Sequence, residues 1–188
     1  MEPGLSSDEI DASPNRIVRW EILKGLPGEG PVPKYFHLGH PTPWSEGLVV
    51  RFWDADGTEW VGNFQNSRSG SAEIVPWPEA DVVGVKTSGH FSFDLYLIHA
   101  ETPDDYSSHI YLTGIMFNED GSMLFISDGI RIIGYRTDRK LAWVREGLGG
   151  YDLEMKSCVG GVLTIELEEE MGEPRKTVRL SANNGNNV

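Results

Sequence analysis

The chain has 188 residues, 39% of them apolar and 24% charged, with a formal net charge of −13. That length fits one domain with a lean but sufficient core. The surplus of acid excludes phosphate-backbone binding and anionic membrane surfaces, both of which need clustered Lys and Arg, and leaves a basic protein, a polyamine or a metal ion as partners suited to the charge.

Residues 1–16 are polar and acidic, with Pro3, Gly4, Ser6, Ser7, Ser13 and Pro14. They bury too little apolar surface to offset the entropy of ordering and are expected to form a flexible tail. No apolar signal-peptide core precedes the domain and no stretch is long enough to span a bilayer, so the expected location is cytoplasmic. The domain is placed at 17–180. It opens with Ile17–Leu23, where Val18, Trp20 and Ile22 alternate with Arg19 and Glu21 in the two-residue period of a strand.

Gly25 to Trp44 holds Pro27, Pro31, Pro33, Pro41 and Pro43 among four glycines. Proline cannot donate to a sheet ladder, so this segment reads as a long loop or a sheet edge. Beyond it the chain becomes a ladder of short apolar runs broken by Asp-Gly turns. Strands are expected at 48–53, 59–64, 73–75, 81–86, 91–99, 110–117, 123–127, 130–136, 141–146, 151–158, 162–168 and 177–180. The turns around Gly57, Gly121 and Gly129 suit the positive φ angles of tight hairpins. Strands about ten residues apart with turns between them indicate an all-β antiparallel meander, built either as an incomplete propeller-like arrangement or as a two-sheet sandwich. Glu168-Glu169-Glu170 and the residues to Lys176 form an acidic hairpin tip, and 181–188 is expected to fray. Cys158 is the only cysteine, so no disulfide forms within the chain, and its place in an apolar strand predicts a buried thiol.

From Leu112 onward the order turn, strand, turn, strand, Trp-ended strand resembles the blades of quinoprotein-like and Trp-Asp propellers. Gly129-Ile130-Arg131-Ile132, Leu141-Ala142-Trp143, Gly147 to Gly150, Gly160-Gly161-Val162-Leu163 and Trp60 to Phe64 also resemble a set of short uncharacterised bacterial all-β proteins. That resemblance implies the fold and transfers no activity.

Several residue sets carry chemistry in principle. His37 and His40 lie close in the Pro-rich loop, and His90, His99 or His109 would complete a zinc site, although the helical His-Glu-x-x-His pattern is absent. Residues 99–109 contain Ser, His and Asp, but no nucleophile elbow accompanies them. Asp54 to Glu59 lacks the spacing of a calcium loop, and no glycine loop suited to phosphate is followed by lysine. No cofactor is therefore expected. Tyr35, Phe36, Trp44 and Trp77 are the candidate contact aromatics, Trp44 and the stiff Pro76-Trp77-Pro78 being the expected surface pair. The leading expectation is a non-catalytic interaction protein using an acidic face and the loop 25–44, in one form an immunity-type protein for a basic partner. The alternatives are a small-molecule or carbohydrate-binding domain using Trp44 and Trp77, and a metal-dependent hydrolase using His37 and His40.

Overall fold

A computed structural model of the protein describes residues 17–36, 47–64, 72–88, 93–99, 102–103, 106–148 and 152–188. They form an all-β structure of four sheets, with one turn of 3-10 helix at Pro78–Ala80. The first sheet holds β1 (Ile17–Leu23), β2 (Lys34–Phe36), β3 (Leu48–Asp54) and β4 (Glu59–Phe64) in the order β1-β3-β4-β2. The second is the meander β5 (Ala72–Trp77), β6 (Val82–Ser88), β7 (Phe93–His99) and β8 (Tyr106–Leu112). The third is β9 (Gly114–Phe117), β10 (Met123–Ser127), β11 (Ile132–Arg136) and β12 (Leu141–Arg145). The fourth is β13 (Asp152–Val159), β14 (Val162–Glu168) and β15 (Lys176–Ser181).

Turn chemistry builds the hairpins as expected. Gly57, at φ +86°, donates its N–H to the Asp54 carbonyl at 3.0 Å and closes β3 onto β4. Between β9 and β10 the Asn118 carboxamide oxygen accepts from the Met123 N–H at 2.8 Å, and the Asp120 carboxylate from the Ser122 N–H at 2.9 Å. Such side-chain acceptors hold a turn without help from other layers.

The strand patterns fix the layer order. β7 reads Phe-Asp-Leu-Tyr-Leu-Ile-His and is buried at six consecutive positions. Tyr96 and Ile98 pack with Val50, Phe52 and Phe64 of the first sheet, whereas Leu95 and Leu97 pack with Leu124 and Ile126 of the third. β10 is likewise buried throughout, and its other face, Met123 and Phe125, meets Leu163, Ile165 and Leu167 of the fourth sheet. A strand covered on both faces needs a continuous apolar run; one covered on a single face alternates. β14 alternates, with Leu163, Ile165 and Leu167 buried between more exposed neighbours. The sheets thus pack face to face in chain order through three cores, and among the described residues no core cluster joins the fourth sheet to the first.

Three expectations require correction, and one is met. The stretch 110–117 is not one strand: Thr113 separates β8 from β9 as the chain passes from second sheet to third. The Pro-rich segment, expected as a loop or a sheet edge, does supply an edge: β2 borders the first sheet, runs parallel to β4 and sets Phe36 beside Phe64. Their rings stack with centroids 4.5 Å apart over Gly62, where a Cβ would lie 2.6 Å from the Phe64 ring. Pro76-Trp77 is the end of β5 and not an exposed tip. Residues 181–188 do not fray: Ala182 is buried, Val188 N–H donates to the Arg179 carbonyl at 3.1 Å, and Gly185 lies against the Trp143 ring. The expected tail 1–16 lies outside the described residues.

Candidate functional site

The sequence-predicted contact residues do not converge. His37, His40 and Trp44 lie outside the described residues, as does His90. Phe36 is 2% exposed and Trp77 1% exposed, so both are core and neither presents a ring to a ligand. Trp77 donates its indole N–H to the Gly121 carbonyl at 2.6 Å, tying the second sheet to the β9–β10 turn. Tyr35 remains exposed, on the opposite face of β2 from Phe36. Period-two alternation separates two aromatics that are neighbours in sequence.

The two described histidines stand apart. His99 contacts the Thr102 hydroxyl at 2.9 Å. His109 pairs with Leu95, four positions from His99, which is about 13 Å along a strand. Among the described residues no three His, Cys, Asp or Glu side chains are placed to hold a metal ion.

His109 instead meets Tyr135 across the gap between second and third sheets, with its Nε2 3.2 Å from the Tyr135 hydroxyl and the rings edge to face. Burial, and then the positive charge of Arg131, hold the His109 pKa below its ordinary value. Burial raises that of Tyr135. Both shifts favour a neutral pair in which the tyrosine hydroxyl donates to the imidazole. Such a pair links two layers. Ser107, two residues from His109, lines with Trp77, Val82, Leu97, Tyr135 and Arg139 a void of about 10 Å³, room for no more than a water molecule. Cys158 is buried as expected; burial, with Glu119 and Asp120 nearby, raises its pKa and keeps the thiol protonated.

Among the described residues three surfaces stand out. One is a depression of about 660 Å³ bordered by Asp128, Ile130, Arg131, Glu146 and Gly147. Asp128 shapes its rim by accepting the Arg131 N–H at 3.0 Å and pairing with the Arg131 side chain. Another is the outer face of the fourth sheet. There Arg175 bridges Asp152 and Glu154, while Lys156 pairs with Glu154 at 2.7 Å and Glu166 at 3.3 Å. The β14–β15 tip beside it is acidic: Lys176 pairs with Glu169, and Glu170 and Glu173 stand exposed.

The third surface is β1, an edge strand missed as such by sequence reasoning. Its alternation was legible, but nothing in the sequence says whether a strand has one neighbour or two. Val18, Trp20 and Ile22 are 58%, 38% and 46% exposed although Trp20 and Ile22 pair with the fully buried Phe52 and Val50. Comparisons with family models, with curated proteins and with solved structures return no match. The sites are therefore read from this chain's own geometry.

Proposed function

We infer that the protein is a non-catalytic interaction protein that presents an acidic surface to a basic partner, in one form as an immunity-type protein. The observation that carries this reading is the fourth sheet. Its inner face anchors it through a dense apolar core, and its outer face and hairpin tip hold Asp152, Glu154, Glu166, Glu168, Glu169, Glu170 and Glu173 against Lys156, Arg175 and Lys176. Carboxylates left over after local pairing, on a rigid layer, steer a basic partner and fix its orientation. The four layers succeeding one another in chain order support an open, propeller-like arc as the scaffold.

A test is native mass spectrometry of the protein purified at low salt from its source cells. A second, basic polypeptide should accompany it, leave as salt is raised, and be lost on replacing Glu168, Glu169 and Glu170 together by Lys. An accompanying polypeptide indifferent to salt and to that variant would reject the acidic face as the contact. A second reading, a small-molecule site, is supported by the depression at Ile130, a side chain 60% exposed beside Asp128 and Arg131. Saturable ligand binding lost on Arg131→Ala would support it.

A further inference from the structure

The free edge of β1 is distinct from the acidic fourth sheet and offers a different kind of contact. Among the described residues no strand lies beyond β1 in the first sheet. Every second residue of such a strand turns its N–H and C=O outward, a template for another strand. Native edges are usually blunted by inward charges, by proline or by a bulge. β1 has a bulge at Ile17–Arg19, which leaves Arg19 to Leu23 in regular register with β3. Neither charge on that stretch points inward. Arg19 and Glu21 lie on the outer face, with the Arg19 guanidinium 3.6 Å from the Trp53 ring centre. Trp20 and Ile22 extend the core face beyond its cover.

The order of these residues selects the occupant. Val18-Arg19-Trp20-Glu21-Ile22 is self-complementary when laid antiparallel against itself. With a two-fold axis through Trp20, Arg19 of each copy falls opposite Glu21 of the other. Trp20 falls opposite Trp20, and Ile22 opposite the bulged Val18. Moving the axis to Glu21 sets two carboxylates face to face, which directly opposed strands disfavour. Glu21 is free to take the new partner, because its contact with Arg51 is long at 4.0 Å. One patch meeting its own copy about a two-fold axis is the commonest route to a closed dimer.

We propose that β1 is a homodimer interface: two copies join their first sheets edge to edge through antiparallel β1 strands, with Arg19–Glu21 pairs flanking a central pair of Trp20 side chains.

The test is molar mass by light scattering on the full chain across a roughly hundredfold dilution, with Arg19→Glu and Glu21→Arg variants measured alone and mixed. The wild type should show the mass of two chains at the high end. Each single variant sets like charges opposite one another twice per interface, so its dimer Kd should rise about tenfold or more. An equal mixture should regain the dimer, because a strand carrying acid at both positions then faces a strand carrying arginine at both. Trp20→Lys, at a partly exposed position, should be monomeric with an unchanged far-ultraviolet spectrum, which separates loss of contact from loss of fold. A wild type monomeric throughout, or a dimer indifferent to Trp20→Lys, would overturn the proposal. So would single variants that weaken the dimer with no recovery on mixing. None of these results bears on the salt-sensitive basic partner of the fourth sheet.

Discussion

The first and fourth sheets end the same stack and end it differently. In the fourth, β14 alternates without a break: Leu163, Ile165 and Leu167 are buried, while Glu154, Glu166 and Asp152 on the outer face are tied together by Arg175 and Lys156. Its exposed large apolar residues, Val159, Met171 and Val188, are scattered singly and do not share a strand. The first sheet places Arg51 between Glu21 and Glu59 and stacks Arg19 on Trp53, yet leaves Val18, Trp20 and Ile22 uncovered at its rim. A terminal layer can thus be closed by ion-paired polar residues or left open for another chain. Here one end is finished and the other is not.

The largest effect is expected where the finished end is anchored. Trp143 packs on Phe125, lies against Gly134 and Gly185, and donates its indole N–H to the Ala182 carbonyl at 2.7 Å. Trp143→Ala removes a large buried ring and leaves that carbonyl unpaired, at a cost of about 3–5 kcal/mol. Urea unfolding should register the loss, and the 181–188 segment should become protease-sensitive in the same variant. Trp77→Phe is smaller. It keeps most of the apolar volume but strands the Gly121 carbonyl, costing about 1–3 kcal/mol and weakening the join between second and third layers. A variant as stable as wild type in chemical denaturation would show that Trp77 is not the core residue described above.

These two tryptophans mark how far the sequence can be read. The hairpins were legible because their information is local: Asp-Gly turns at Gly57, Gly121 and Gly129 all adopt positive φ. β1, β10 and β14 have the bounds their apolar patterns predict. Trp77 was misplaced because flanking prolines suggest a surface turn, whereas Pro76 occupies the edge strand of its sheet, where no ladder donor is missed. The 181–188 segment was misjudged because its Asn and Gly residues look like a frayed end. What orders it is a ring from β12, almost forty residues earlier. β2 escaped notice because three residues carry no period, and its parallel partner lies beyond β3. Of the candidate site, the acidic tip was visible as composition. The uncovered state of β1 was not, because edge position depends on the order of strands in the sheet.

Between the two ends, the His109–Tyr135 contact provides a pH-dependent link. Because the folded-state pKa of His109 is depressed, the unfolded chain binds the proton more tightly. This contribution is fully present above about pH 6.5, the ordinary histidine value, and is lost as pH falls below it. Thermal unfolding from pH 7.5 down to 5 should therefore show a falling midpoint, and His109→Gln should flatten the decline. An unchanged slope in that variant would remove His109 as its source.

Asp54 makes the first sheet costly in the opposite sense. It is buried, its Oδ1 has no hydrogen-bond partner, and burial raises its pKa, opposed in part by the Trp60 indole and reinforced by Asp56. A raised carboxyl pKa favours the folded state only in acid; that advantage is lost as pH rises from the ordinary value through the folded one. Asp54→Asn removes the charge and should raise the melting midpoint at pH 7 while changing little at pH 3.

The smallest effect belongs to the finished outer face. Arg175 is the hub of the fourth sheet's network, touching Asp152, Glu154 and Glu166. Its pairs are solvent-exposed, and exposed pairs contribute little individually and are screened by salt. Hydrogen bonds from Lys156 and then Arg175 hold the Glu154 pKa below its ordinary value, so their contribution is present at neutral pH and lost as the carboxyl protonates in acid. Arg175→Ala should lower the melting midpoint slightly at pH 7 and low salt, with the difference closing at high salt and again in acid. Trp20→Lys at the other end should give the converse result: the melting midpoint of dilute protein should hold, while self-association is lost at any salt concentration. If Arg175→Ala instead unfolded the fourth sheet, its outer face would be a structural requirement of the stack, and the contrast between a polar finish and an open edge would fail.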